Sequence, residues 1–229
     1  MKATVEKKEG LWNLQSIPFF KGADSKTLME IKKTTTLKSY KKNSFIYYPD
    51  ETPNHIFFVK NGRVKIGSYS NGGNETIKMI LENGQVFGEQ FFMEKEPTEN
   101  YAQAMESSCL LTIDCGEFQK MIEQNNFLAV QMAKVLGQRL QKFEKKYESL
   151  IFKDARSRIV DFLKEMAEEK GKPVGYETLI MHSFTHLDIA QLTVASRQTV
   201  TSVLNDLKQN NLIYFDRKRI LIRDLAKLK

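Results

Sequence analysis

Thr185-His-Leu-Asp-Ile-Ala-Gln-Leu-Thr-Val-Ala-Ser-Arg-Gln-Thr-Val-Thr-Ser-Val-Leu204 reads as two short helices joined by a tight turn. Thr185 is placed to cap the first helix, and Asp188, three residues on, completes a capping-box spacing. Ile189, Ala190 and Leu192 form the apolar side of that helix. Ser196 caps the second, whose Val200, Val203 and Leu204 turn inward at i, i+3, i+4 spacing. Arg197, Gln198, Thr201 and Ser202 then face outward as a hydrogen-bonding surface. Such a face suits the major groove of DNA, with its N-terminal residues nearest the base edges.

Further along, Asn210-Asn211 precedes two apolar runs, Leu212-Ile-Tyr-Phe215 and Arg219-Ile-Leu-Ile-Arg223, flanking Asp216-Arg-Lys218. They read as a β-hairpin, and a hairpin beside a helix-turn-helix is a wing. Its basic turn, Arg217, Lys218 and Arg219, is within reach of phosphates. Upstream, Gly171-Lys-Pro-Val-Gly175 reads as a break, and Asp154 as the cap of a helix running to Met166 with Ile159, Val160, Phe162, Leu163 and Met166 on its apolar side. Before that, Leu136, Leu140, Phe143, Tyr147 and Leu150 recur at +4, +3, +4, +3, extended upstream by Ala129 and Ala133. This is a heptad seam on a long helix with charged flanks, which fits a coiled-coil dimer; the plainer reading is a helix packed on its own domain.

From about residue 36 to 115 the texture is short apolar or alternating runs: Ser44–Tyr48, Ile56–Val59, Arg63–Ile66, Thr76–Ile80, Ala102–Ala104 and Cys109–Ile113. Asn61-Gly62, Asn71-Gly72-Gly73 and Asn83-Gly84 supply turns between them. The spacing suggests an antiparallel sandwich or jelly roll. Leu14, Ile17, Phe19 and Phe20 precede a short helix capped at Asp24 or Ser25. The fold class is therefore α+β, with residues 1–120 an effector barrel, 121–153 a dimerisation helix and 154–229 a winged helix-turn-helix.

The 229 residues carry a formal net charge of +7. That balance favours a polyanionic partner, or is simply a soluble surface. Cys109 and Cys115 fit a reducing compartment and no disulfide framework, and two cysteines cannot hold a four-thiolate iron–sulfur cluster in one chain. The charged N-terminus is not a signal peptide, and no apolar run approaches the roughly 20 residues needed to span a bilayer, so a cytoplasmic location is expected.

In this order, Ile17-Pro-Phe-Phe20, Phe57-Phe-Val-Lys-Asn-Gly-Arg-Val-Lys65, Gly84-Gln-Val-Phe-Gly-Glu89, Asp154-Ala-Arg-Ser-Arg-Ile159 and Ile189-Ala-Gln-Leu-Thr-Val-Ala-Ser-Arg-Gln-Thr-Val200 resemble the cyclic-AMP receptor protein and fumarate–nitrate reduction regulator (Crp/Fnr) family, over nearly the whole chain. The resemblance implies a bacterial-type transcription regulator: a homodimer on an inverted-repeat promoter site, with double-stranded DNA and RNA polymerase as partners, no enzymatic activity, and an effector pocket in each barrel.

The resemblance also exposes a departure. In nucleotide-binding members a glycine amide and an Arg-Ser pair hold the phosphate while a glutamate accepts from the ribose. Gly88 and Glu89 match, but Thr98 and Glu99 stand at the Arg-Ser positions. A phosphodiester loses its planar two-donor fork there and faces a carboxylate. Lys95 offers only a flexible point charge. On the long helix, Phe143 and Glu144 replace small hydroxyl residues that would touch the base. Cyclic AMP is therefore not the expected effector. An unknown small effector, a pocket closed by side chains and regulation by expression level alone stay open, as do a cyclic-nucleotide response and ligand-independent DNA binding. Phe91, Phe92, Tyr101 and Phe143 would suit an apolar or aromatic effector, or are plain core. Haem would need an axial ligand, and the only barrel histidine, His55, reads as structural. No cofactor is assigned.

Arg197 stands where the family carries a base-reading arginine, a fork suited to guanine O6 and N7. Gln198 can pair with adenine, and Ser202 replaces a second arginine, so the half-site differs from that of the cyclic-AMP receptors. Thr185, His186, Ser196, Thr199, Lys208, Arg217 and Lys218 are phosphate candidates, with capping the equal alternative for Ser196. Two rivals fail on residues: a barrel dioxygenase needs a histidine cluster, and a regulatory subunit of a kinase or channel needs the phosphate-binding arginine and no wing.

Overall fold

The computed structural model describes residues 4–6, 14–70, 72–73, 75–92, 96–182, 184–216 and 218–228. They form two compact units, 1–140 and 141–229. The division falls inside a long helix.

The first unit is an antiparallel sandwich. Its strands are β1 (Thr4–Glu6), β2 (Thr36–Tyr40), β3 (Phe45–Tyr47), β4 (His55–Asn61), β5 (Val64–Tyr69), β6 (Glu75–Leu81), β7 (Val86–Phe87), β8 (Asn100–Ala104) and β9 (Ser108–Asp114). One sheet runs β1-β2-β9-β4-β7 and the other β3-β8-β5-β6. Central β4 is buried along Ile56–Val59, which explains its continuous apolar run. Phe20, Phe58 and Phe118 close the core between sheet and helix, with the Phe20 and Phe58 rings 4.7 Å apart. Helix α1 (Ser25–Thr34) starts at Asp24, whose carboxylate accepts from the Thr27 amide at 2.7 Å. Helix α2 (Cys115–Gln124) starts at Asp114 in the same way, and α3 (Asn126–Phe152) follows, its Leu128 and Met132 entering the core.

The second unit holds α4 (Ala155–Lys170), β10 (Lys172–Val174), β11 (Glu177–Met181), α5 (His186–Thr193), α6 (Arg197–Gln209), β12 (Ile213–Phe215) and β13 (Arg219–Ile222). The sheet order is β10-β11-β13-β12, all antiparallel. The stretch Gly171–Gly175, read as a break, is mostly strand. Gly175 turns the chain at φ 62°, a left-handed value glycine adopts freely, and Pro173 is tolerated because β10 is an exposed edge. Asp154 caps α4 through the Ser157 amide at 2.7 Å. Ile159, Val160, Leu163 and Met166 bury the inner face of α4, and Val200, Val203, Leu204 and Leu207 that of α6.

Candidate nucleic-acid interface and effector site

The α5–turn–α6 segment is fixed mainly by side chains that bond to its own backbone. Thr185 Oγ1 accepts from the Asp188 amide at 3.1 Å, and Asp188 accepts from the Thr185 amide at 2.7 Å, a complete capping box. Ser196 Oγ accepts from the Thr199 amide at 2.9 Å and lies 2.8 Å from Thr199 Oγ1. Two of the residues read as phosphate candidates, Thr185 and Ser196, therefore spend hydroxyl groups on capping, and the Thr199 hydroxyl is bonded to that of Ser196. Between the helices Val194 sits at φ 52°, ψ 50°, where most chains use glycine or asparagine.

Arg158, on the first turn of α4, braces that turn. Its guanidinium donates to the carbonyls of Thr193 and Val194, both at 2.8 Å, and of Lys153 at 2.7 Å. Arg156 reaches Asp206 on α6 at 2.6 Å. The sequence offers Arg158 only as part of a family mark; the clamp itself depends on two segments 35 residues apart meeting in space.

On α6, Arg197, Gln198 and Ser202 are exposed, and Asn205 continues their face one turn further. Asn205 was missed because an asparagine mid-helix carries no pattern of its own. Thr201 is half-buried. Its hydroxyl donates to the Arg197 carbonyl at 3.0 Å and lies 2.9 Å from His186 Nδ1. It is therefore turned to neighbours rather than outward. Lys208, at the last turn of α6, lies 5.3 Å over the Tyr214 ring and 5.4 Å over that of Phe215, tying helix to wing. In the wing turn, Asp216 accepts from the Lys218 amide at 2.9 Å and from Arg219 Nε at 2.6 Å. These bonds hold its carboxyl below the ordinary aspartate range. Arg217 lies outside the described residues. A cleft of about 590 Å³ opens between α5, α6 and the wing, bordered by Thr185, His186, Arg197, Phe215 and Asp216.

In the first unit, Gly88 has φ 92°, and a Cβ there would come within 2.5 Å of the His55 carbonyl oxygen. Only glycine fits, and the turn delivers Glu89 to the interior. Glu89 is paired with Arg139 of α3, whose guanidinium also donates to the Val86 carbonyl. Glu89 Oε2 is buried and, among the described residues, has no hydrogen-bond partner. Burial pushes the Arg139 guanidinium pKa down, yet an arginine remains cationic. Burial also pushes the nearby Tyr47 phenol up, against the pull of the Arg139 charge. Arg139 did not emerge from the sequence, because its partner lies 50 residues away and it sits off the apolar seam.

The loop that would hold a phosphate is split in orientation. Thr98 is buried, its Oγ1 accepting from Gln90 Nε2 at 3.3 Å and from the Asn100 amide at 3.1 Å. Glu99 is exposed. The expected repulsion from Glu99 is thus corrected: its carboxylate points to water. The inward position is still a neutral threonine, so the cationic fork is still missing. The Phe92 side chain and all of Lys95 lie outside the described residues. Phe91 and Tyr101 are buried core. Phe57 and Phe87 stack at 4.8 Å, and Tyr47 meets Phe91 edge-on at 5.5 Å. Phe143 and Glu144 belong to the second unit, and both are exposed. His55 is half-buried, and burial lowers its pKa, aided by Lys38 and opposed by Asp114. Along α3 the seam residues Leu136, Leu140, Phe143, Tyr147 and Leu150 are between 41% and 67% exposed.

Two family models match in succession, the cyclic nucleotide-binding domain over residues 37–125 and the Crp-like helix-turn-helix domain over residues 157–229. A CRP-like cAMP-activated global transcriptional regulator of Mycobacterium tuberculosis is 25% identical over 209 residues, covering 91% of this chain and 93% of that protein. A global nitrogen regulator of a Nostoc species is 24% identical over 188 residues, covering 81% and 84%. Among solved structures, a CooA variant from Carboxydothermus hydrogenoformans superposes with a TM-score of 0.78 at 29% identity, covering 94% of this chain and 93% of that one.

Proposed function

The chain belongs to the Crp/Fnr family of DNA-binding transcription regulators, and on that premise we propose that it works as an effector-responsive homodimer on an inverted-repeat promoter site. The exposed polar face of α6 carries this reading: Arg197, Gln198, Ser202 and Asn205 are held outward while the opposite face is locked into the core. Arg197 reads a guanine, Gln198 is matched to adenine, and the wing with Lys208 and Lys218 grips phosphates. The protein is not an enzyme, resides in the cytoplasm and meets RNA polymerase at the promoter. No helix among the described residues is long and apolar enough to cross a membrane. The exposed apolar seam of α3 supports a dimer, which sets the two reading helices about one DNA turn apart.

Binding to a duplex selected by the protein from a randomised pool tests this. The affinity should fall linearly with salt on a log–log plot, one unit of slope for roughly each phosphate contact. Arg197→Ala should lose the preference for the selected sequence, by about 1–3 kcal/mol per half-site, while the dimer persists in sedimentation. A flat salt response, or an Arg197→Ala protein as selective as the wild type, would sink the reading.

The effector is a small molecule other than cyclic AMP. Thr98 replaces a cation at the inward position, and Arg139 already occupies one oxygen of Glu89. The open Glu89 Oε2 fits a hydroxyl or amine donor on the effector. Cyclic AMP should leave the melting temperature unchanged. A saturable rise of several degrees would instead support a cyclic-nucleotide response, as named for the mycobacterial relative.

A further inference from the structure

Capping residues fix the two helices of the DNA-reading motif, whereas the turn between them leans on α4. Its pivotal residue, Val194, is left-handed at φ 52°, ψ 50°, a conformation that sets a β-carbon against its own backbone. The side chain is 49% exposed, so packing does little to hold it there. The last carbonyls at the C-terminal end of a helix also have no partner inside that helix. At the end of α5 the Thr193 and Val194 carbonyls take theirs from outside the motif: Arg158 Nε and Nη2 donate to them, each at 2.8 Å. Arg158 Nη1 donates to the Lys153 carbonyl, directly after α3, at 2.7 Å. One planar guanidinium thus spans three carbonyls of two segments. It also sets a cation at the C-terminal ends of two helices, where the helix dipole is negative.

Val194 stands three residues before Arg197, with the Ser196 cap of α6 between them. The direction of the turn therefore sets where the N-terminal end of α6 meets the base edges. Farther along α6, Arg156 holds Asp206 at 2.6 Å, so the first turn of α4 grips the reading helix at two levels. Two-donor pairing with a base needs both bonds in reach at once, so a small tilt of α6 removes selectivity. Phosphate contacts through flexible lysines adapt to the same tilt. From this geometry we infer that Arg158 is a positioning residue for sequence readout: it fixes the turn from which Arg197 and Gln198 read and contacts neither base nor phosphate itself. The inference rests on the DNA-binding reading above.

The test is fluorescence anisotropy with the full chain, below the melting transition of every variant used, on a duplex selected from a randomised pool and on its scrambled counterpart. Arg158→Lys keeps the charge and loses the fork. It should bind the selected duplex about tenfold or more weakly, the scale of one lost two-donor base contact. It should bind the scrambled duplex as the wild type does, with an unchanged slope of log affinity against log salt. Adding Val194→Gly removes the strain that the brace opposes, so the folded double variant should recover most of the selectivity. Ile180→Val, which trims the buried core of the same unit at β11, should lower the melting temperature and keep wild-type selectivity.

A salt slope smaller by about one unit on both duplexes would make Arg158 a phosphate contact and overturns the proposal. Wild-type selectivity in Arg158→Lys overturns it, as does a folded double variant that lacks selectivity. Each of these leaves DNA binding standing. Failure to select any duplex overturns the DNA-binding reading and this inference with it.

Discussion

Val194 is the only β-branched residue among the four described non-glycine residues at positive φ; the others are Asn43, Asp50 and Asn211. Asparagine and aspartate tolerate the left-handed region, whereas a valine there crowds its own backbone by about 1–2 kcal/mol. The side chain is half exposed, so it recovers little of that cost by burial. Arg158 holds the strained turn by gripping the Thr193 and Val194 carbonyls. Val194→Gly should therefore stabilise the second unit. After the extra backbone entropy of glycine is subtracted, the gain is about 0.5–1 kcal/mol, read as a rise of a few degrees in melting temperature. A lower melting temperature would mean that Val194 makes packing contacts worth more than its strain. The strain could not be read from the sequence, because nothing in Thr193-Val-Ala195 marks a left-handed residue.

At the scale of elements, most caps and helix faces, which depend on near neighbours, were legible, and several strands and the long-range ion pair were not. The caps at Asp24, Asp154, Thr185 and Ser196 follow from spacing within four residues. The polar face of α6 follows from helical period. Strands β1, β2, β7, β10 and β11 were missed: β2 mixes polar residues with Leu37 and Tyr40, β7 has two residues, and both are ordered by pairing with strands far away in sequence. Arg139 was missed for the same reason. The wing illustrates how local order can be tested. Asp216 is held below the ordinary aspartate range first by the Lys218 amide and then by Arg219. A carboxyl lowered on folding adds stability that is complete above the unfolded value near 3.9 and disappears as pH falls through its folded value. Asp216→Asn should therefore melt below the wild type at neutral pH and converge with it in strong acid. A difference that stayed constant down to pH 2 would show that the aspartate charge contributes nothing to the wing.

At the scale of the whole molecule, the seam of α3 is an exposed apolar stripe among the described residues. Leu136, Leu140, Phe143, Tyr147 and Leu150 lie on one stripe, and each is at least 41% exposed. Scattered exposed apolar residues are ordinary, but five at heptad spacing on one helix are the signature of a covered surface. Gly137 lies within the same stretch, and a Cβ there would meet nothing within 4 Å. Burying such side chains against a second copy recovers about 1.5–3 kcal/mol each when burial is complete, ample for a stable dimer after the cost of association. A carboxylate in the seam would be desolvated without a cation opposite it, since the same substitution appears on the partner helix. Leu140→Glu combined with Tyr147→Glu should therefore give a monomer by sedimentation equilibrium. Because both side chains are already exposed, the winged unit should keep its own melting transition. A dimer engages two half-sites through one linked event, so the monomer should lose at least a hundredfold in affinity for an inverted repeat and much less for an isolated half-site. An equal loss on both duplexes would place the damage in the reading head, and a surviving dimer would mean that another surface joins the two copies.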